Sequence, residues 1–383
     1  MQKKKIAVAL NLDWPIKRYH ELFLGIQDYT KENTDWTLVW DHYPEKALKR
    51  LGSPPCYAGV IGRIKYKSYD EITRLNIPVI NTWESNSLKN MTSIFPDYEK
   101  AGEIAAEHLI RKGFRNFANI DYRASTSATT FFKGFQKVIK PYGCSVKRYL
   151  TNNEAAASPI LWDKFSSDFD EWVKDWQFPL GIVCSLSCIG PKVVSRCLAN
   201  NLRIPEDIAL ITTGNDNSAC EGFSPTISSV DMNFHKVGYE SARLLDLKMK
   251  GEEISQKVTR IPPSACIARE STDSYAVDDK VIQKALRYIS DNFHNNILVG
   301  DVVDATGISR TAVEKRFSNT IGHTIYFEIN RLRVSSAKKL LIETELEINK
   351  IAKKCGFSSA HHCIRVFKKF EVITPLEYRL NNS

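Results

Sequence analysis

The chain has 383 residues, 43% of them hydrophobic and 25% charged, with Lys and Arg at 53 against 44 Asp and Glu for a formal charge of +9. These values fit two or three packed domains and exclude a disordered or fibrous protein. The surplus is uneven: residues 278–383 hold 17 basic and 12 acidic side chains, about half of it in little more than a quarter of the chain.

The start, Met1-Gln2-Lys3-Lys4-Lys5, is basic, but the apolar run behind it, Ile6 to Leu10, stops at Asn11. That is too short for the core of a signal peptide or for a membrane span, and it reads as a first β-strand. The nine cysteines are scattered with no CxxC pair, which in an unexported protein points to idle thiols in a reducing compartment. A cytoplasmic protein with no membrane contact is expected.

Further strands are expected at Trp36–Trp40, Gly59–Ile64, Pro78–Thr82, Asn116–Ile120, Leu180–Cys184 and Ile208–Thr212. Between them Glu21–Thr30, Tyr69–Leu75, Glu99–Lys112, Thr129–Lys140, Phe169–Trp176 and Gly190–Asn200 carry apolar residues at helical spacing. Such alternation predicts βαβ units, parallel sheets and ligands at the carboxyl ends of strands. Seven strands exceed one lobe, so residues 1–270 are expected to form two lobes around a cleft. Residues 271–279 read as a linker. From 280 to 383 every segment is helical, beginning with Val281, Ile282, Ala285, Leu286, Ile289 and Phe293 on one helix face.

The helical tail repeats itself at an offset near fifty. Val302-Val303-x3-Gly307-Ile308-Ser309 recurs as Ile351-Ala352-x3-Gly356-Phe357-Ser358, Phe317 as Phe367, and Thr324 as Thr374. Each copy predicts a helix, a turn with glycine at positive φ, a serine N-cap (Ser309, Ser358) and a second helix. Ile325 to Glu343 would connect the copies as one long helix, and Thr344-Glu345-Leu346-Glu347 has the form of a capping box for the next. Residues 299–379 resemble the AraC/XylS-type DNA-binding domain through Gly307-Ile308-Ser309, Lys315-Arg316-Phe317, Arg331-Leu332-Arg333, Ile351-Ala352-x3-Gly356-Phe357, Arg365-x-Phe367-Lys368-Lys369 and Thr374-Pro375. Cys363 and Val372 depart from that pattern. The resemblance implies contacts to double-stranded operator DNA from Arg310, Thr311 and Lys315 in the first copy, and from Ser359, His361, His362 and Arg365 in the second.

The amino-terminal part resembles the LacI/GalR-type sensor, itself similar to periplasmic sugar-binding proteins. The strings are Ala101-Gly102-x4-Glu107-His108-Leu109-Ile110, Ile204-Pro205-Glu206-Asp207-Ile208-Ala209, Gly214-Asn215-Asp216-Asn217 and Ser224-Pro225-Thr226-Ile227. The pairing of such a sensor with an AraC-type tail resembles the XylR-like group. The fold expected is thus an α/β two-lobed periplasmic-binding-protein-like domain followed by an all-α double helix-turn-helix domain. The resemblance implies an activator of a sugar, xylose-like, catabolic operon, a small neutral monosaccharide as effector, a homodimer, and RNA polymerase as a further partner. Candidate effector residues are Trp14, His20, Arg63, Trp83, Asp97, Asp216 and Asn217. At two further positions, Phe131 and Ser187, sugar-binding relatives often present Arg and Asp, which suggests a different, less polar or degraded site. No GxSxG, GxGxxG, P-loop or HExxH string is present, so no catalytic residue or cofactor is expected. His361-His362-Cys363 with Cys355 lacks the spacing of a metal site.

Overall fold

Strand β1 (Lys5–Ala9) buries Ile6, Ala7 and Val8 completely, as a parallel strand covered on both faces must. It belongs to a computed structural model that describes residues 4–10, 12, 16–51, 56–64, 66–84, 91–123, 125–151, 159–254, 256–277 and 279–382. Two units emerge, residues 1–273 and 274–383.

After β1 the first unit runs α1 (Lys17–Asn33), β2 (Thr37–Trp40), α2 (Pro44–Leu51), β3 (Gly59–Gly62), α3 (Tyr66–Thr73), β4 (Val79–Asn81), β5 (Ser93–Pro96), α4 (Tyr98–Arg111), β6 (Asn116–Tyr122), α5 (Thr126–Ile139) and β7 (Val146–Thr151). It continues with α6 (Pro159–Lys174), β8 (Leu180–Val183), α7 (Gly190–Ala199), β9 (Ile208–Thr213), α8 (Asn217–Glu221), β10 (Ser228–Val230), α9 (Phe234–Met249), β11 (Val258–Ile261) and β12 (Cys266–Ile267). The strands form two six-stranded sheets, ordered β11-β5-β4-β3-β1-β2 and β12-β10-β9-β8-β6-β7. All pairings are parallel except β10 with β12. Each sheet centres one lobe, and the chain passes between lobes three times: after β5, after β10 and after β11.

Both lobes close with a helix pair in near backbone contact. In the first, a Cβ on Gly25 of α1 would lie 2.0 Å from the His235 carbonyl of α9; in the second, one on Gly102 of α4 would lie 2.0 Å from the Phe131 carbonyl of α5. No side chain fits at either crossing.

Residues 271–279, expected as a linker, are divided between the units. Ser271 Oγ donates to the Leu210 carbonyl at 2.6 Å and Thr272 Oγ1 lies 2.8 Å from Ser228 Oγ, whereas Tyr275 and Val277 pack in the core of the second unit.

That second unit is helical: α10 (Lys280–Asn292), α11 (Val299–Thr306), α12 (Arg310–Ile321), α13 (Ile325–Glu343), α14 (Ile348–Lys354), α15 (Ala360–Glu371) and α16 (Pro375–Asn382). It has two small cores. Phe317 centres one with Val302, Val313, Ile325 and Ile329; Phe367 centres the other with Ile351, Ala352, Val334 and Ala337. Helix α13 therefore gives its first half to one core and its second half to the other. Gly307 and Gly356 both adopt positive φ, 77° and 76°, as their turns required.

Three caps differ from expectation, the first being Ser309, which stands at the N-cap of α12 but makes no side-chain hydrogen bond there. Ser359, not Ser358, accepts the His362 N–H at 3.1 Å, because the repeat offset is 49 before the turn and 50 after it. Thr344 closes α13 by donating to the Leu340 carbonyl at 2.6 Å, and α14 starts at Glu347 without a side-chain cap. A true capping box forms instead at Thr374 and Glu377. Among the described residues no helix is long and apolar enough to cross a membrane, and no three His, Cys, Asp or Glu gather as metal ligands.

Candidate functional site

In a doubly wound sheet the ligand position lies outside the carboxyl ends of the strands where the winding reverses. In the first lobe those strands are β1 and β3, and they deliver Arg18, in the first turn of α1, and Arg63. Both guanidinium groups sit by Trp83, which follows β4: that of Arg63 is 4.0 Å from a Trp83 ring centroid and that of Arg18 5.2 Å. Arg18 also lies 5.4 Å from the Phe234 ring and donates from Nη2 to the Tyr98 hydroxyl of the second lobe at 3.0 Å. Among the described residues the buried Arg63 Nε has no hydrogen-bond partner. Glu84 pairs through Oε1 with Arg260 at 2.7 Å, while its buried Oε2 has no partner among the described residues. Arg18, Trp83, Glu84, Tyr98 and Phe234 all border one small cavity.

From the second lobe Asp216 caps α8. Its Oδ1 accepts from the Ser218 N–H at 3.1 Å and the Ser218 hydroxyl at 2.6 Å. Its Oδ2 accepts the Lys17 N–H at 3.0 Å, supplying α1 with the cap that its own Ile16 cannot provide. Burial opposes the charge on Asp216, yet these donors hold its pKa below the usual carboxylate value. Ser187 and Gly214 border a second small cavity with Asp216, Arg18 and Phe234. Arg18 and Phe234 thus belong to both cavities.

Of the expected effector residues, Trp83 borders the first cavity and Ser187 and Asp216 the second, while Arg63 borders neither but lies against the Trp83 ring. The others stand apart. Trp14 lies outside the described residues. His20 is exposed on α1, and Asn217 is exposed at the start of α8. Asp97 is the N-cap of α4, accepting the Lys100 N–H at 2.9 Å. Phe131 is fully buried in α5 at its crossing with α4 and borders neither cavity. Arg18, Glu84, Tyr98 and Phe234 escaped the sequence reading because each lies within or beside an amphipathic run or strand end with no motif of its own. Position after β1 was the only available signal for Arg18.

In the second unit the exposed faces of α12 and α15 correspond at an offset of fifty. Arg310, Thr311 and Lys315 are exposed on α12, but Arg310 Nε is held by Glu314 at 2.9 Å, so that face carries an acid among its bases. On α15 the face is His361, Ile364, Arg365, Lys368 and Lys369, bordering an open groove with no acidic residue. Spacing of three and four residues puts 361, 364, 365 and 368 on one side of the helix. Ile364, Lys368 and Lys369 add to the expected set. His362 does not share that face. Its Nδ1 lies 3.0 Å from Ser358 Oγ, its ring packs edge-on to Phe357, and burial followed by the nearby Arg365 and Arg333 charges lowers its pKa.

The comparisons match both halves. A model of the periplasmic binding protein-like domain matches residues 106–272, and a helix-turn-helix domain model matches residues 302–381. The xylose operon regulatory protein of Escherichia coli (strain K12) is 28% identical over 333 residues, covering 85% of this chain and 84% of that protein. The protein of the same description from Haemophilus influenzae is 27% identical over 282 residues, covering 73% and 72%. A solved structure of the xylose-binding transcription activator xylR aligns with 100% of this chain and 99% of its own at a TM-score of 0.72 and 25% identity. The chain is a DNA-binding transcription regulator that joins a periplasmic-binding-protein-like domain to a helix-turn-helix domain, and it is similar in this architecture to the xylose operon regulators.

Proposed function

We propose that the cleft of residues 1–273 binds a small carbohydrate and thereby controls how the helix-turn-helix unit engages operator DNA, in a cytoplasmic homodimer that activates a sugar catabolic operon and so meets RNA polymerase. The observation that carries this reading is the cleft itself. Its polar groups converge at the winding reversal of the first sheet, and its lobes are joined by Arg18–Tyr98 and Lys17–Asp216. The names of the similar xylose regulators support the carbohydrate class. A ligand shifts such a two-lobed domain only through its different affinity for open and closed forms, and a bridging pair such as Lys17–Asp216 gives those forms different contacts.

On the DNA side, Arg310, Thr311 and Lys315 contact one major groove and Ser359, His361 and Arg365 the next, with His362 holding the turn of the second copy. Cationic side chains suit guanine edges and phosphates, and Thr and Ser are less selective. The test is to select binding sites from a random DNA pool, then measure affinity with and without xylose, ribose, glucose and their acids. A change of fivefold or more with one compound is expected. No change with any compound at saturation would overturn the regulatory reading.

A further inference from the structure

Resting on the carbohydrate reading above, we infer that the cleft is built for an anionic carbohydrate, with the acid group held between Arg18 and Arg63 and a hydroxyl on Glu84. Three observations converge. First, both arginines stand at the carboxyl ends of the strands flanking the winding reversal, within 5.2 Å and 4.0 Å of the same indole ring. Among the described residues neither has an ion-pair partner, and Arg63 Nε is buried with no acceptor. A guanidinium taken from water without a counter-ion is costly, and an aromatic face offsets only part of that cost.

Second, among the described residues no nearby carboxylate pairs with either arginine. Glu84 Oε1 is bound to Arg260, and both oxygens of Asp216 are filled by Ser218 and the Lys17 N–H. Among the described residues both guanidinium groups are thus left without a directly paired carboxylate. A carboxylate or phosphate answers them with paired N–H···O bonds in the planar geometry that arginine presents.

Third, the orphan acceptor excludes a bare anion. Glu84 Oε2 is buried without a donor beside the same indole. It requires an O–H next to the acid group, and a polyhydroxylated acid supplies both. The indole is meanwhile covered by Arg63 at 4.0 Å, so Trp83 orients that guanidinium and is not a free platform for a sugar ring.

Sugar acids and sugar phosphates share this chemistry, and calorimetry on the full chain separates them. The matched pairs are xylose with xylonate, glucose with glucuronate, and ribose with ribose 5-phosphate; acetate and inorganic phosphate serve as bare anions. At least one acid or phosphate is expected to bind tenfold or more tightly than its neutral counterpart and than the bare anions. Arg63→Gln and Arg18→Gln should each remove that preference, and Arg63→Lys should keep part of it, with melting temperature confirming the fold of each variant. If a neutral sugar binds as tightly as its acid and the variants leave it unchanged, the anion inference fails and the carbohydrate reading stands. If no member of any pair binds, both fail.

Discussion

In the proposed mechanism the ligand response turns on Asp216, whose one carboxylate caps a helix of its own lobe and a helix of the other. Asp216→Ala should abolish the effect of ligand on DNA affinity while leaving basal DNA binding within about twofold, as read by titration of selected DNA. In the DNA-binding unit, Glu328 is buried at 2% exposure. Burial alone would raise its pKa, but hydrogen bonds from Arg331 and His323 outweigh that and lower it to about 2. A folded-state pKa below the unfolded value stabilises the fold above roughly pH 4.5 and loses that contribution as pH falls toward 2. Glu328→Gln should therefore lower stability at pH 7 and flatten its decline across that window, measured by denaturant unfolding at stepped pH. Gly307 and Gly356 share a left-handed backbone, but a Cβ on Gly356 would meet the Phe293 carbonyl at 2.2 Å while one on Gly307 meets nothing within 4 Å. Gly307→Ala should cost about 1–2 kcal/mol for the backbone alone, and Gly356→Ala clearly more, by the same unfolding measurement. Both glycines were legible as turn residues from the repeat; the difference between them depends on Phe293, sixty-three residues before Gly356 in the chain, which no local pattern records.

Helix α13 has 19 residues, about 28 Å at 1.5 Å per residue, close to the ~34–36 Å between successive major-groove faces. Arg333 anchors it, donating to the Phe293 and Ile297 carbonyls at 2.9 Å each, so the connector is fixed to the first core as well as the second. The two recognition helices it joins are unequal: α15 presents Arg365, Lys368 and Lys369 without an acid, and α12 presents Glu314 among its bases. Arg365→Ala should cost about 1–3 kcal/mol on the selected site and much less on random DNA, if it reads a base. Lys368→Ala and Lys369→Ala should weaken both equally, each reducing the slope of log affinity against log salt by about 0.9 if one phosphate contact is lost. Equal losses on both DNAs for Arg365→Ala would make it a third phosphate contact.

Elements were legible where apolar runs are unbroken, as in β1, β8 and β9. Strand β10 is Ser228-Ser229-Val230, whose buried hydroxyls are satisfied by the Arg269 backbone, Thr272, Thr212 and Asn215, so its polar sequence concealed it. The edge strand β7 and helix α9 were missed for related reasons: β7 is only half-buried along most of its length, and α9 follows Asn233 in a left-handed conformation with no cap bond.

At the scale of the whole molecule, the sensor and the DNA-binding unit could be assigned from sequence because each carries a long family pattern, whereas the cleft chemistry could not. Sequence pointed to a neutral sugar on Asp216 and Trp83; the structure commits Asp216 to capping and covers Trp83 with a guanidinium. Which side chains meet across two lobes depends on three crossings of the chain between them, and spacing alone does not report that. If the sensor pairs two chains, residues 1–273 should sediment as a dimer at micromolar concentration; a monomer with and without ligand would place dimerisation elsewhere. In the proposed function one chain carries two working recognition helices under ligand control. Hydroxyl-radical footprinting of the full chain on DNA selected from a random pool tests this most directly. Two protected patches per protomer about one helical turn apart on the same face of the duplex, altered when the bound carbohydrate is added, are the predicted result. A single protected groove per protomer, or a pattern indifferent to a carbohydrate that calorimetry shows to be bound, would contradict it.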